Sequence, residues 1–401
     1  RATYYPYIEP RAGAAKGLLG ALAAHACVVV TDDSPAFFMP RLLAAATAQV
    51  DVALEAVDGN GIVPLRATLQ VYPTAYAFRR FVHRYIAAEG VPMPTEKPLA
   101  RSTLPRLAAL PADVLARWPI AAGLEDPPGI LAAMTIDRSV GAVDTSGGHR
   151  EAARTLERFL GRGLEAYSRD RNDPDAAGAS GLSPYLHFGH IGAHEVFARV
   201  VEAGGWTPDA VETAARGSRA GWGGAAAVGP FLDQLVTWRE LGFNMCTHRA
   251  DYDRYESLPE WALRTLADHA RDPRVRVYDV DAFAAGQTHD GLWNAAQRQL
   301  RTTGTIHNYL RMLWGKKILE WTPSARDALA VMVELNNRYA LDGRDPNSYS
   351  GIFWTLGRYD RAWGPERPVY GKIRYMSSAN TRRKLDLSRY LERFGDTGAP
   401  V

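Results

Sequence analysis

Tryptophan is concentrated in the second half of this 401-residue chain, in a pattern that suggests chemistry with flat or redox-active ligands. Seven of its ten tryptophans fall between residues 238 and 363, interleaved with arginines, lysines and the very polar loop 342–347. Tryptophan is large and oxidisable, and it stacks well on planar groups. A cluster of it beside cationic side chains suits a protein that stacks nucleobases or passes electrons.

The segment 309–321 carries the most specific spacing. Trp314 and Trp321 are seven residues apart, so on a helix they share one face about 10 Å apart along the axis, at ~1.5 Å per residue. This separation suits stepwise electron hopping, and the alternative is a packing stripe of aromatic side chains. Arg311 lies one turn before Trp314, and a guanidinium among aromatics requires an anionic partner. Asp342 is the candidate for that partner.

Two further segments have the residue types of a binding site. Gln234 and Trp238 are four residues apart, which places an amide beside a stacking ring on one helix face. In 180–189, Ser183 is predicted to cap a helix that Pro184 begins, and a helix start with hydroxyls can bind phosphate. Taken alone, each segment is equally compatible with ordinary helix packing.

The basic C-terminal segment interleaves cationic and aromatic residues at 371–376 and 382–384. These side chains could bind phosphates, or they could form a solvated surface. His187 and His190 have no partner pattern, and we interpret both as structural.

Composition narrows the class of protein. Hydrophobic residues make up 46% and charged residues 23%, which indicates a globular chain, and there is no apolar run long enough to cross a membrane. A net charge of +3 is a weak signal for nucleic acid. Cys27 and Cys246 form no disulfide or metal pattern, which fits a reducing compartment. We therefore expect a cytoplasmic protein without a metal.

Residues 1–135 alternate between helical and strand-like patterns. Helices are predicted at 17–25 and 40–50, and buried parallel strands at 26–30 and 51–57, so an α/β layer is expected. Because the chain begins with Arg and so few strands are present, we expect that preceding residues supply more of them. The proline-rich stretch 85–145 is interpreted as a long surface connector.

From His149 onward the apolar period is helical. A mostly α domain over 136–401 is therefore predicted, following an α/β domain over 1–135. The predicted helices span 151–168, 191–203, 231–246, 259–270, 291–300, 305–321 and 325–338.

Four stretches together resemble the DNA photolyase and cryptochrome family, most of all the class II cyclobutane pyrimidine dimer photolyases. They are LSPYLHFGHIG (182–192), THDGLWNAAQRQLRTTGTIHNYLRMLWGKKILEWTPS (288–324), LNNRYALDGRDPNSY (335–349) and ERPVYGKIRYMS (366–377). The resemblance covers about 150–390, and residues 1–135 resemble the later part of the family's Rossmann-like antenna domain.

The resemblance implies FAD in the helical domain, UV-damaged DNA as the partner, and light-driven electron donation to a flipped-out dimer. A second, deazaflavin-type antenna chromophore is left open, and a monomer is expected. The positions that would hold the FAD diphosphate and ribityl region are Tyr167, Arg171, Ser180, Leu182 and Ser183.

The remaining site positions also follow from the resemblance. Asn336 would face flavin N5, beside the Arg311–Asp342 pair. The photoreduction chain would be Trp314, Trp293 and Trp321. The residues that would contact the lesion or the DNA phosphates are Trp238, Trp354, Met312, Lys372 and Arg374.

One position departs from the family pattern. Gln234 stands where class II enzymes generally carry a glutamate that hydrogen-bonds the dimer, and an amide can donate a hydrogen bond but cannot supply a proton. The neighbouring Asp233 would point about 100° away on a helix and is not expected to substitute. A cryptochrome-type photoreceptor without repair is therefore the first alternative, followed by (6-4) lesion repair and a flavin-free nucleic-acid binder.

Overall fold

The computed structural model describes residues 2–95, 97–100, 103, 107, 109–176, 178–211, 218–224 and 226–396. The chain groups into two compact units. The first, called here the α/β unit, comprises Arg1–Ser34, Phe38–Gly59 and Met93–Val140. The second, the helical unit, comprises Pro35–Phe37, Asn60–Pro92 and Gly141–Val401. The domain boundary expected at 135/136 stays a prediction.

The regular elements in chain order are α1 (Leu18–Ala23), β1 (Val28–Asp32), α2 (Met39–Thr47), β2 (Ala53–Val57), α3 (Ala75–Glu89), α4 (Ala112–Arg117), α5 (Pro127–Ala133), α6 (His149–Arg158), α7 (Tyr167–Asp170), α8 (Ser183–His187), α9 (Ala193–Ala203), α10 (Val228–Leu232), α11 (Arg239–His248), α12 (Glu260–Asp268), α13 (Val280–Ala285), α14 (Gly291–Thr303), α15 (Asn308–Trp321), α16 (Ala325–Tyr339), α17 (Pro346–Thr355), α18 (Ser378–Lys384) and α19 (Ser388–Phe394). Two π-helical turns, Phe159–Gly163 and Asp233–Trp238, continue α6 and join α10 to α11.

The α/β unit contains a two-stranded parallel sheet, in which Val28 lies opposite Ala53 and Asp32 opposite Val57. The predicted parallel strands are confirmed, but their predicted burial is wrong. Val28 is 41% exposed and Val30 58% exposed. Among the described residues no third strand extends this sheet, so alternate side chains of β1 stay uncovered.

The stretch 85–145, interpreted as a long surface connector, has regular structure among its described residues. It contains the end of α3 and all of α4 and α5. Pro127 and Pro128 stand in the first turn of α5, where proline favours a helix start, and the Asp126 side chain accepts a hydrogen bond from the Gly129 N–H. Residues 96, 101–102, 104–106 and 108 of this stretch lie outside the described residues.

The helical unit confirms the prediction of a mostly α region. Each of the seven predicted helical segments contains an α-helix, although π-helical turns interrupt the regular hydrogen bonding in 151–168 and 231–246. In the first of these, a Cβ on Gly163 would lie 2.8 Å from Phe159 Cδ2, so glycine allows the wide turn to close. No helix in the described part of the chain is long and apolar enough to cross a membrane.

Capping side chains fix the starts of three helices that carry candidate site residues. Asp290 accepts hydrogen bonds from the N–H groups of Leu292 and Trp293 at the start of α14. Ser324 caps α16 by accepting from the Asp327 N–H. Asp345 caps α17, which has Pro346 in its first turn.

Two glycines let α17 approach its neighbours closely. A Cβ on Gly242 of α11 would lie 2.6 Å from the Pro346 carbonyl oxygen, and one on Gly315 of α15 would lie 2.6 Å from Thr355 Cγ2. Neither contact could be accommodated without displacing α17. The glycines therefore set where α17 presents its side chains.

Candidate functional site

A cavity of about 960 Å³ opens in the helical unit and gathers residues from distant parts of the sequence. Gln234 and Trp238 reach it from the π turn 233–238, Met312 from α15 and Trp354 from α17. Arg374 lines it as well. Five of the positions expected to contact a lesion or its DNA thus lie around one space.

Cationic groups surround the Trp354 ring. The Lys316 ammonium lies 5.0 Å and the Arg374 guanidinium 5.3 Å from its centroid. Asp360 holds Arg374 through two hydrogen bonds of 3.0 and 3.2 Å, and the same guanidinium lies 4.0 Å from the Trp363 centroid. Arg374 is therefore fixed in place at the cavity wall.

Lys316 is fully buried, and its ammonium donates a 2.6 Å hydrogen bond to the Thr355 carbonyl oxygen at the end of α17. Burial lowers the pKa of Lys316 to about 7, while Asp360 raises it and Arg374 lowers it further. A charged group in this position stabilises the C-terminal end of the helix that carries Trp354.

Asp233 does not line the cavity. Its carboxylate is 1% exposed and accepts two hydrogen bonds from Arg79 of α3, at 2.6 and 3.1 Å. Arg219 Nε lies 3.6 Å from Asp233 Oδ2, which also accepts from Arg79. Since Asp233 is held in this buried ion pair, Gln234 is the side chain of this turn that offers a polar group to both cavities.

A smaller cavity of about 130 Å³ shares Gln234 and Asn347 with the larger one. Its walls include four of the five residues expected to hold the FAD diphosphate and ribityl region: Tyr167, Ser180, Leu182 and Ser183. The fifth, Arg171, lines the larger cavity, with its guanidinium 5.7 Å from the Tyr167 ring centroid.

The prediction that Ser183 caps a helix is wrong. α8 begins at Ser183, its N-cap is Leu182, and no side chain caps it. The Ser183 hydroxyl instead donates to Asp342 Oδ2, whose carboxylate attracts it more strongly than a neutral amide could. Asp342 Oδ1 lies 3.5 Å from Arg311 Nη2. Burial opposes ionisation of Asp342, but Arg311 and Ser183 outweigh it, so the pKa of Asp342 lies below its ordinary value.

Asn336 is buried, and its side-chain N–H donates a 2.6 Å hydrogen bond to the Ser348 hydroxyl. Arg311, Asn336 and Asp342 do not line either of the two cavities. Lys372 also lies outside them, exposed and 3.2 Å from Glu366.

Three buried tryptophans form a continuous series. The Trp314 and Trp293 rings are parallel within 3°, with centroids 6.5 Å apart, and the Trp293 and Trp321 centroids are 6.0 Å apart. The Trp314 indole N–H donates to Gln297 Oε1 at 2.8 Å, and the Trp293 indole N–H donates to the Trp314 carbonyl oxygen at 3.0 Å. These bonds fix the rings at short separations.

His187 and His190 are engaged with the protein itself. His187 Nδ1 lies 3.3 Å from Asp345 Oδ2, and His190 Nδ1 accepts a 3.0 Å hydrogen bond from the Gly148 N–H. Among the described residues, no cluster of His, Cys, Asp and Glu has the arrangement of a metal site.

Sequence comparison identifies the family. A deoxyribodipyrimidine photo-lyase of Methanothermobacter thermautotrophicus is 34% identical over 375 residues, which make up 92% of this chain and 75% of that protein. The chain belongs to the photolyase/cryptochrome family. A scan against models of protein families gives no match.

Other relatives of this photolyase/cryptochrome chain are longer than it is. A deoxyribodipyrimidine photo-lyase of Oryza sativa is 41% identical over 235 residues, but these make up 58% of this chain and only 43% of the Oryza protein. The crystal structure of a Synechocystis cryptochrome superposes with a TM-score of 0.63 at 16% identity, covering 93% of this chain and 70% of that one. This likeness establishes a shared fold.

One residue of this photolyase/cryptochrome site escaped the sequence analysis. Arg239 lines the smaller cavity, and its buried Nη1 has no hydrogen-bond partner among the described residues. Its guanidinium lies 4.6 Å from the Phe243 ring centroid. The sequence does contain a signal for Arg239: it is an arginine next to Trp238 in an otherwise apolar helix, where a cation requires an anionic partner.

Proposed function

We propose that this chain is a class II-like photolyase that repairs cyclobutane pyrimidine dimers in UV-damaged DNA, using light and a reduced FAD. The observation that carries the proposal is the larger cavity, where Gln234, Trp238, Met312 and Trp354 meet beside a fixed arginine, Arg374. Indole rings stack on nucleobases, and arginine binds phosphate, so the cavity suits an extrahelical pair of bases.

The smaller cavity suits the diphosphate part of the cofactor. Tyr167 and Ser180 bring hydroxyl groups to it, and Arg239 brings a guanidinium N–H without a partner among the described residues. This donor set fits a diphosphate, which offers several anionic acceptors. When bound, FAD supplies light absorption and electron donation.

The protein's own part is to bind, orient and tune. Gln234 lines both cavities, so its amide N–H can donate to a carbonyl of the bound pyrimidines. Asn336 and the Arg311–Asp342 pair are proposed to lie beside the flavin ring, and the Trp314, Trp293 and Trp321 series to serve its photoreduction.

A cryptochrome-type photoreceptor is the second candidate. The observation that favours it is that the carboxylate of Asp233 is turned away to Arg79, so this turn presents an amide and no acid to the cavity. If repair requires proton donation at this position, loss of the acid would cost roughly 10²-fold or more in rate.

The deciding experiment is repair of an oligonucleotide with one thymine dimer by chemically reduced, FAD-loaded protein, in blue light and in the dark. We expect light-dependent restoration of thymines by the wild type and a higher yield from Gln234→Glu. Gln234→Leu is the control, because it has neither hydrogen bond nor proton to offer.

A wild-type protein that binds FAD and dimer DNA, yet repairs nothing in light, would contradict the proposal and favour the photoreceptor. Equal repair of a (6-4) photoproduct would contradict the assigned lesion. Purified protein without a bound yellow chromophore would support the flavin-free nucleic-acid binder.

A further inference from the structure

The segment 360–376 between α17 and α18, called here the cavity loop, forms one wall of the larger cavity. Residues 363–365, 367 and 373–376 of this loop all line that cavity. They include an indole, Trp363, and two cations, Arg367 and Arg374. The contacts that hold the cavity loop in place therefore also determine the shape of the space that is proposed to receive the lesion.

Two backbone groups of the cavity loop are bound at the C-terminal end of α12. The Val369 N–H donates a 2.8 Å hydrogen bond to Asp272 Oδ2, and the Lys372 N–H donates a 3.0 Å hydrogen bond to Thr265 Oγ1. The pKa of Asp272 is lowered, first by the Val369 N–H and then by a neighbouring histidine, so its carboxylate stays ionised at neutral pH. These two contacts do not change between pH 6 and pH 9.

A third contact does depend on pH, because it joins a histidine to two carboxylates. His269 Nδ1 lies 2.6 Å from Asp272 Oδ2, and His269 Nε2 lies 3.4 Å from Glu366 Oε2 in the cavity loop. An imidazolium can donate to both carboxylates, but a neutral imidazole has one N–H and can donate to only one. Since the contact with Asp272 is the shorter, loss of the proton leaves Glu366 facing a lone pair.

The groups around His269 favour its charged form. The hydrogen bond to Asp272 raises the pKa of His269, burial opposes this rise, and the hydrogen bond to Glu366 adds to it. His269 also stands at the C-terminal end of α12, where free backbone carbonyls favour a cation. Two cations lie behind the carboxylates. Lys372 Nζ is 3.2 Å from Glu366, and Arg274 donates to the carbonyl oxygens of His269 and Asp272.

We propose that His269 is a positioning residue for the larger cavity: its imidazolium holds Glu366, and with it the wall 363–367, against α12, and this hold is lost on deprotonation. The inference rests on the proposed function where it concerns DNA. Dimer-containing DNA should then bind more tightly to the protonated protein, whose cavity wall is fixed, than to the deprotonated one.

The direction of the pH effect follows from the raised pKa. A histidine whose pKa is raised by folding contributes stabilisation that is complete below the ordinary histidine value. That stabilisation is lost as the pH rises through the raised value. The wall should therefore loosen, and affinity for dimer-containing DNA should fall, as the solution becomes more alkaline.

The first test observes the proton on His269 without DNA. In protein labelled with carbon-13 at histidine Cε1, the His269 resonance is the one that is missing from His269→Gln. We expect it to titrate above about pH 6.5, the ordinary histidine value, and to titrate at lower pH in Glu366→Gln. Titration at or below the ordinary value in the wild type, or no change in Glu366→Gln, would overturn the proposal.

The second test is a gel-shift titration in the dark, with a dimer-containing oligonucleotide, at a series of pH values. The share of His269 in the loss of affinity should be roughly 2- to 5-fold, the range expected for one partly exposed ion pair. Burial lowers the pKa of Lys316 to about 7, so it titrates in the same range. The quantity to compare is therefore the ratio of wild-type to Glu366→Gln affinity at each pH, because Lys316 is present in both proteins.

Glu366→Gln should leave the fold intact, since the Glu366 side chain is half exposed. Its amide can meet a neutral imidazole as well as a charged one, so the His269 share of the pH dependence should disappear. His248→Gln is the matched control, because His248 is half-buried in the helical unit and outside both cavities. It should show the same pH dependence as the wild type.

The two tests separate failure of this inference from failure of the proposed function. An affinity that falls with pH as steeply in Glu366→Gln as in the wild type would overturn the inference, because the step would then belong to another group. A wild type that binds no dimer-containing DNA at any pH would count against the proposed function. The histidine titration would still decide whether His269 holds Glu366.

Discussion

Replacing Trp354 by alanine is the sharpest test of the larger cavity. The ring is half-buried on α17 and lines the cavity that Gln234 and Trp238 also reach. Stacking on an aromatic side chain contributes about 1–3 kcal/mol per base. Since about 1.4 kcal/mol corresponds to a factor of ten, Trp354→Ala should weaken binding of dimer-containing DNA by roughly 5- to 150-fold.

The surrounding contacts predict what the substitution leaves intact. Arg374 remains held by Asp360 and Trp363, so its contact with a DNA phosphate should persist. Phosphate contacts release counterions and weaken steeply with salt, whereas stacking does not. The fold-decrease in affinity for dimer-containing DNA caused by Trp354→Ala should therefore be the same at low and high salt. FAD should stay bound, because Trp354 does not line the smaller cavity.

The assay is a gel-shift titration in the dark with matched damaged and undamaged oligonucleotides. Trp261→Ala, at a half-buried tryptophan outside the cavity, is the control. Because Trp354 covers the buried Lys316, Trp354→Phe should be measured as well, and it should show a smaller loss with packing preserved. Unchanged affinity, or an equal loss for undamaged DNA, would refute the assignment of Trp354 to the lesion.

Two further outcomes are expected. Trp314→Phe should abolish photoreduction of the oxidised flavin under steady illumination but spare dimer repair by chemically reduced protein. The control is Trp206→Phe, at a buried indole outside the series. Normal photoreduction in Trp314→Phe would contradict the proposed electron path. Asp342→Asn should destabilise the fold by about 1–3 kcal/mol at pH 7, because it leaves Arg311 without its carboxylate. The pKa of Asp342 is lowered in the folded state, so its stabilisation is complete above about pH 4 and is lost as the pH falls through that lowered value. In urea unfolding, the difference in free energy of unfolding between wild type and Asp342→Asn should become smaller in acid. A difference that does not change with pH would contradict the pairing of Asp342 with Arg311.

Much of the helical unit follows from sequence periodicity. The helices that carry Trp293, Trp314 and Asn336 lie where the apolar period predicts them, and those of Trp293 and Asn336 begin at capping residues. The helix that carries Trp354, α17, is not among the predicted helices. The parallel pairing of β1 and β2 also follows from short apolar runs between helices. The exposure of these two strands does not follow from the sequence pattern, because the burial of a strand depends on which elements cover the sheet.

Other features depend on partners far away in the sequence. Ser183 has the residue type and position of a helix cap, but it bonds to Asp342, 159 residues later. Gln297 fixes the Trp314 indole across two helices, and no local pattern distinguishes it from a surface glutamine. The same holds for Asp233, whose pairing with Arg79 decides which side chain of its turn meets the cavity.

The π turn between α10 and α11 makes the length of this segment as important as its residues. In an α-helix each residue rotates the chain by about 100°, and a π turn accommodates one extra residue without breaking the helix. Deleting one of Leu235, Val236 or Thr237 would leave a regular helix, but it would turn Trp238 around the helix axis relative to Gln234. Gln234 and Trp238 would both be retained, yet they would no longer face the larger cavity together. Insertions and deletions here should therefore be tolerated far less than substitutions.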